Sequence, residues 1–408
     1  MDAPPPYDLT PALGVLLTGM LVAMVPLLLF MLRHRGAGPQ RRLQALALLT
    51  CLLTFDLVLF GAFTRLTDSG LGCPDWPGCY GEANPVAAHA QISAAQAAMP
   101  TGPVTHHKAW IEMVHRYLAT GVGALITALV ALAWREWARA RRAGEASAAG
   151  QGGRVSVHPL WPTATLVWVC LQGAFGALTV TMKLFPAIVV MHLAGGIVLL
   201  ALLAVQAARY GQAQAGRAPA PLPAGQRGLL WAALAVLAVQ VLLGGWVSTN
   251  YAVLACATFP SCNGAYWPPM DLARGFELWR PLGLLRDGSA ITFPALVAIH
   301  YMHRLWAYLV LAVLAATAWR LWRVAALHRP VRWLAGLAAL QLATGVSNVV
   351  LGWPLLAALL HTGGAAALAA VLVWMLAASR GVPATARVAV PATLSPLSPS
   401  TGVPGRSA

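Results

Sequence analysis

The stretch LQGAFGALTVTMKLFPAIVVMHLAGG, residues 171–196, decides the fold, because it returns later in the chain as LQLATGVSNVVLGWPLLAALLHTGGA, residues 340–365. Both copies begin with Leu-Gln, place a glycine four residues after the glutamine and a histidine twenty residues after it, and continue as His-x-x-Gly. Agreement at so many fixed spacings indicates an internal repeat.

Two further matches extend the repeat to most of the chain. EMVHR at 112–116 corresponds to HYMHR at 300–304, and the pair Cys73 and Cys79 corresponds to the pair Cys256 and Cys262. We therefore predict two pseudo-symmetric four-helix transmembrane bundles plus one extra N-terminal transmembrane helix. The extra helix with a cytoplasmic link is predicted at 1–43. The first unit is predicted at 44–210, with an outer loop at 67–109, and the second unit at 229–380, with an outer loop at 250–291. A cytoplasmic linker at 211–228 joins the units, and a flexible cytoplasmic tail follows at 381–408.

Composition independently indicates a membrane protein. Of the 408 residues, 59% are hydrophobic and only 10% are charged, and the mean hydropathy is +0.68, whereas an ordinary soluble domain carries about 25% charged residues. The predicted fold class is an all-α polytopic membrane protein. Runs long enough to cross a bilayer, about 20 residues each, lie at 10–32, 44–66, 110–134, 160–182, 187–208, 229–249, 292–320, 333–352 and 355–378.

The positive charge is distributed as a topology signal. The net charge is +15, and most of it lies in short stretches after the first, third, fifth and seventh spans and after the last. This pattern marks cytoplasmic connections and excludes nucleic acid as a partner. The N-terminus and the two long loops then face outward, and the C-terminus is cytoplasmic. The start MDAPPPYD has no positive n-region, which favours a bacterial inner membrane over an organelle.

Each unit places one histidine near the outer end of its second helix and another near the outer end of its fourth: His115 and His192, then His303 and His361. At 1.5 Å rise per residue, these imidazoles lie roughly 8–15 Å inside the outer boundary, so the two in one unit could approach a flat ligand from opposite sides. Intramembrane histidines are usually functional, and this pattern favours haem with two axial imidazoles. Zinc would need three or four converging donors, and a hydrogen bond between helices is the remaining alternative.

Charged residues near the histidines differ between the units. Three arginines lie at the outer level: Arg65, Arg116 and Arg304. Their guanidinium groups suit haem propionates, although arginines at helix ends also snorkel to the interface. Glu112 lies one turn before His115, whereas the second unit has His300 at that position. The first unit is therefore predicted to be the reactive one, and an interfacial ion pair between Glu112 and Arg116 is the alternative.

The chain resembles the haem A synthase family, membrane enzymes that oxidise the C8 methyl group of haem O to the formyl group of haem A. The resemblance covers about 44–378, although the family core has eight helices, so the first span is additional. The motifs that carry it are TRLTDSGLGCPDWPGC (64–79), EMVHR, the two His-x-x-Gly repeats and TFPSCNGAYWPP (258–269).

The resemblance implies a role for each candidate residue. Glu112 would be catalytic, His115 and His192 would enclose the substrate haem, and His303 and His361 would ligate a resident haem b, the cofactor. The pair Cys73 and Cys79 is similar to the family's functional disulfide, whereas the pair Cys256 and Cys262 is not universal in the family. In an oxidising outer loop, the first disulfide either relays electrons or acts as a structural staple.

The implied function is oxidation of haem O by successive hydroxylations to supply haem A for cytochrome c oxidase. Haem O would be the substrate, lipid would surround the chain, and haem O synthase and cytochrome oxidase assembly factors are candidate partners, as is a second copy of the chain. The alternative is a non-catalytic bis-histidine di-haem membrane cytochrome or a haem-handling oxidase assembly factor. Both haem sites would lie near the periplasmic face, which disfavours simple electron transfer across the membrane.

Overall fold

The computed structural model describes residues 8–146, 158–215 and 222–379, so the predicted tail at 381–408 lies outside the described residues. Within them the chain is all-α. The helices are α1 (Thr10–Arg33), α2 (Pro39–Leu66), α3 (His89–Ala98), α4 (His106–Ala146), α5 (Leu160–Thr181), α6 (Pro186–Ala215), α7 (Ala224–Thr249), α8 (Leu272–Gly275), α9 (Phe293–Leu321), α10 (His328–Val350) and α11 (Leu355–Ser379).

Nine helices in the described part of the chain are long and apolar enough to cross a membrane, namely all except α3 and α8. The prediction of nine spans is therefore confirmed. Five helices, α2, α4, α6, α7 and α10, extend beyond their predicted runs by five residues or more. Helix α2 begins at Pro39, because proline is favoured in the first turn of a helix. Helix α4 continues to Ala146 through alanines, arginines and glutamates, which are good helix formers that a hydropathy profile does not detect.

The two outer loops contain short helices that the sequence analysis missed. Helix α3 is rich in alanine, which has the highest helix propensity, and it packs against the start of α4. The Gln96 side-chain oxygen accepts from the backbone N–H of His106 at 3.0 Å, satisfying a donor that a helix start leaves without a partner. His106 therefore belongs to the first turn of α4, not to the predicted loop.

Helix packing follows the order of the repeat. In the first half α2 packs against α4 and α6, and α5 packs against the same two helices; in the second half α7 and α10 both pack against α9 and α11. Helix α6 also contacts α7 and α11, and one apolar core runs through both halves, with Leu46, Leu200 and Leu372 among its buried members. The division into two separate four-helix units stays a prediction.

The additional helix α1 packs along α4 through small residues. A Cβ atom on Gly19 would overlap Thr120, and one on Gly121 would lie 3.2 Å from the carbonyl oxygen of Gly19. Without side chains at these positions the two backbones approach closely. Near the N-terminal end of α1, Val15 is buried in the same apolar cluster as Cys73 and Cys79. Helix α1 thus supports both α4 and the first outer loop.

Candidate functional site

Each of the four predicted histidines lies against a glycine of the neighbouring helix. A Cβ atom on any of these glycines would be only 3.0–3.4 Å from the imidazole Cε1 atom. The ring would then have to move, because protein interiors are close-packed and leave no spare room. The pairs are Gly61 with His115, Gly176 with His192, Gly244 with His303 and Gly345 with His361.

The second histidine pair has the separation expected for two ligands of one metal ion. The ring centres of His303 and His361 are 6.4 Å apart, and their planes are inclined at 77°. Metal–nitrogen bonds of about 2.0 Å would put the centres of two opposed imidazoles at a similar distance. The Nδ1 atom of His361 is 2.9 Å from the Thr344 hydroxyl, the kind of partner that fixes the orientation of a ligating histidine.

The first pair, His115 and His192, has buried Nδ1 atoms with no hydrogen-bond partner among the described residues. Phe60 lies parallel to His115, with ring centres 6.2 Å apart.

Nowhere in the described ranges do three or more His, Cys, Asp or Glu side chains converge as a metal site, so the donor set does not match zinc, which needs three or four ligands. A pair of imidazoles is the ligand set of a bis-histidine haem, and the assignment of this pair to haem stays a prediction.

Packing between neighbouring helices explains why a glycine follows each histidine in the His-x-x-Gly repeat. A Cβ atom on Gly195 would overlap the Gln172 side chain, and one on Gly364 would overlap that of Gln341. Gln341 Nε2 donates to the carbonyl oxygen of His361 at 3.0 Å. The glycine therefore makes room for a glutamine that links the histidine-bearing helix to its neighbour, as a polar side chain between membrane helices commonly does.

Glu112 is fixed to the first outer loop by two bonds. It is only 4% exposed, and its Oε2 accepts from the backbone N–H of Cys73 at 2.8 Å, while its Oε1 accepts from Arg116 Nη2 at 2.5 Å. Arg116 Nη1 donates to the carbonyl oxygens of Pro77 (3.1 Å) and Gly78. The ion pair with Arg116, which was the alternative to a reactive role for Glu112, is thus present, and it connects α4 to the disulfide loop.

In the second half, His300 occupies the place of Glu112. Its Nδ1 is 2.9 Å from the carbonyl oxygen of Ala252, which can only accept, so Nδ1 carries the proton and Nε2 accepts from Arg304 Nε at 3.0 Å. The other nitrogens of Arg304 donate to three loop carbonyl oxygens at 2.7–3.2 Å, those of Cys256, Thr258 and Ser261. Arg304 therefore holds the second loop as Arg116 holds the first.

The third predicted arginine, Arg65, joins the two halves. Its Nη2 donates to the carbonyl oxygen of Ser248 at 2.5 Å, its Nη1 lies 3.2 Å from Asp68, and its guanidinium carbon lies 4.1 Å from the ring centre of Tyr251. Protein acceptors thus surround all three predicted arginines, and their contacts with haem propionates stay predictions.

The structure contains both predicted disulfides: Cys73–Cys79 and Cys256–Cys262, with Cα atoms 4.9 and 4.7 Å apart. Each loop then turns through two residues of positive φ, Tyr80-Gly81 in the first and Asn263-Gly264 in the second. Such a turn favours glycine because a left-handed backbone costs a side chain energy. The loops are therefore built alike, and the role of each disulfide in a reaction stays a prediction.

The fold and the site define a multi-pass all-α membrane protein with two pairs of glycine-backed histidines. The chain belongs to the cytochrome oxidase assembly protein family (COX15-CtaA), whose model matches residues 44–373.

Similar proteins include the heme A synthase of Shewanella oneidensis, which is 36% identical over 80% of this chain and 93% of its own length. The heme A synthase of Rhizorhabdus wittichii is 29% identical over 83% of this chain and 95% of its own. That of Alkalihalophilus pseudofirmus is 28% identical over 79% and 92%. Since the family match begins at residue 44, it does not include α1.

Proposed function

We propose that this chain is an oxidoreductase that converts haem O to haem A, oxidising the C8 methyl group to a formyl group, and so supplies cytochrome c oxidase. The observation that carries the proposal is the duplicated, glycine-backed histidine pair in which only the first copy has a carboxylate, Glu112, one turn away. Relatives named heme A synthase, aligned over most of this chain, support it.

We assign the two histidine pairs to different ligands. His115 and His192 bind the substrate haem O from opposite sides, and His303 and His361 hold haem b. Haem b, when bound, supplies one-electron transfer. The glycines behind the rings let each imidazole lie close to the neighbouring helix.

Glu112 is the proposed proton acceptor for the reaction at the methyl group. Each of two successive hydroxylations is a two-electron oxidation of the carbon. Written with water as the oxygen donor, each step passes two electrons to an external acceptor and releases two protons, and the resulting gem-diol loses water to leave the aldehyde. A positioned carboxylate contributes typically 10²–10⁴-fold to such steps. Arg116 and the Cys73 N–H hold its two oxygen atoms, so its orientation is set before substrate binds.

The membrane arrangement belongs to the same proposal. The arginine distribution supports an outward N-terminus, a bacterial inner membrane and histidine sites near the periplasmic face. The helix contacts within 44–210 and within 229–379 support two repeated units. Haem O synthase is the proposed partner, because it would deliver the substrate haem O.

Pigment extraction tests the function. The chain is expressed in a host that makes haem O and lacks haem A, and the extracted haems are separated and examined as pyridine complexes. Formyl-bearing haem A, with its red-shifted spectrum, is expected only in cells that express the chain. If the extract contains haem B and haem O alone while the protein is folded and haem-bearing, the chain is instead a non-catalytic di-haem cytochrome or a haem-handling factor.

A further inference from the structure

The additional helix α1 forms a groove with α2 and α4 at the end of the bundle opposite the histidines. The groove has a volume of about 440 Å³, within the range of ligand sites, roughly 300–1,000 Å³. Its apolar part is lined by Leu27 and Phe30 of α1, Leu46 of α2, and Ala128 and Leu132 of α4. Residues before 44 lie outside the family match, so the α1 wall is not part of the matched family region.

The end of the groove nearest the helix termini is cationic. Three arginines and a histidine line it: His34, Arg35, Arg42 and Arg135. Arg42 donates Nε to the carbonyl oxygen of His34 at 3.1 Å and also bonds the carbonyl of Arg35. Among the described residues no carboxylate pairs with these arginines, and the neighbouring Glu136 is bound to Arg139 at 3.1 Å instead.

We propose that this groove binds an anionic phospholipid. The phosphate lies between Arg35 and Arg135, and one acyl chain runs along the apolar wall toward Leu27 and Ala128. Basic pockets between membrane helices recognise anionic headgroups in this way, since each cation near the membrane surface adds to the attraction. The apolar wall distinguishes the site from an arginine cluster that merely faces the bilayer surface. The bound lipid ties α1 to α2 and α4.

Lipid titration of the full-length protein in detergent tests the proposal. Dioleoyl phosphatidylglycerol and dioleoyl phosphatidylcholine have the same acyl chains and differ in headgroup charge. Binding is followed by native mass spectrometry, and the midpoint of thermal unfolding is followed by tryptophan fluorescence. Phosphatidylglycerol is expected to bind more tightly and to raise the midpoint further. In Arg35→Gln/Arg135→Gln its binding should weaken about 30-fold, with phosphatidylcholine binding unchanged.

The matched control is Arg41→Gln/Arg142→Gln, which removes the same charge from exposed residues of α2 and α4 outside the groove lining and leaves the Glu136–Arg139 pair intact. It should retain the preference for phosphatidylglycerol. Equal binding of both lipids by the parent, or an equal loss in both double variants, overturns the proposal. So does displacement of the lipid by millimolar inorganic phosphate, which would assign the arginines to a free anion.

A second variant tests the groove without changing charge. Ala131 lines the groove at α4 and is exposed, so Ala131→Trp should fill it and reduce binding of both lipids. Parent-level phosphatidylglycerol binding in Ala131→Trp would show that the acyl chain lies elsewhere and would overturn the site.

Discussion

The two histidine-bearing helices α4 and α9 hold their outer loops with the same arginine but different neighbours. Arg116 and Arg304 both bind loop carbonyl oxygens, and the neighbour is a carboxylate, Glu112, in the first half and a histidine, His300, in the second. The second half thus shows that anchoring a loop does not require a carboxylate. Loop anchoring alone therefore does not account for a carboxylate at position 112, and the proposed chemical role is what would distinguish the two halves.

The largest expected effect concerns the second histidine pair. His303→Ala or His361→Ala should abolish bound haem b and haem A formation together, because a low-spin iron needs both axial ligands. His115→Ala is the matched change in the first half and should abolish haem A formation while retaining haem b. Optical spectra of the purified variants and haem extraction give the two readouts. A normal low-spin haem b spectrum in His303→Ala would contradict the assignment of the halves.

Glu112 should show the next largest effect. Glu112→Ala is expected to lower haem A formation by roughly 10²–10⁴-fold with haem b retained, and haem O or a partly oxidised intermediate should accumulate. Glu112→Gln keeps an acceptor for the Cys73 N–H but loses the charge, so it should be equally slow if the carboxylate moves protons. His300→Ala is the matched control. It should cost about 1–3 kcal/mol of stability without slowing the reaction.

Parent-level haem A formation by Glu112→Gln would show that the residue only positions the loop. Loss of haem b from Glu112→Ala would mean that the carboxylate is structural, and the division into a reactive half and a resident-haem half would fail with it.

The glycines behind the imidazoles provide a milder test of the same division. Gly244→Val should displace His303, because even a Cβ atom there would lie 3.0 Å from its ring, and overpacking of this kind costs about 1–3 kcal/mol. We expect haem b affinity to fall about tenfold, measured by haem titration of the apoprotein. Gly61→Val should instead weaken haem O binding through His115 and leave haem b affinity unchanged. Equal effects of both variants on haem b would argue against two separate sites.

The smallest expected difference lies between the disulfides. Replacing either pair by serine should lower the free energy of unfolding by about 2 kcal/mol, as expected for a short closed loop. Haem A formation should fall several-fold only without Cys73–Cys79, because the Cys73 N–H holds Glu112. Thermal unfolding and haem extraction separate the two effects. An equal fall without Cys256–Cys262 would show that both disulfides act only as staples.

Much of the fold was predictable from the sequence. Apolar run length placed all nine spans, since crossing a bilayer demands about 20 apolar residues. The repeat placed the four histidines at matched positions near the helix starts, because helical rise converts spacing into depth. Gly61 and Gly244 also occupy matching positions in the repeat, because each lies twelve residues before the first cysteine of its loop. The sequence alone could therefore have identified them as candidate site residues.

Only the tertiary structure decided how these parts act on one another. The bond between Glu112 and the Cys73 N–H joins residues 39 positions apart, and no spacing rule predicts it because the loop between them has its own turns and a short helix. Hydropathy identified α1 as a span but not its contact with α4 through Gly19 and Gly121, nor the groove it closes. Such contacts depend on the relative positions of whole helices, which packing of the complete chain determines and local sequence pattern does not.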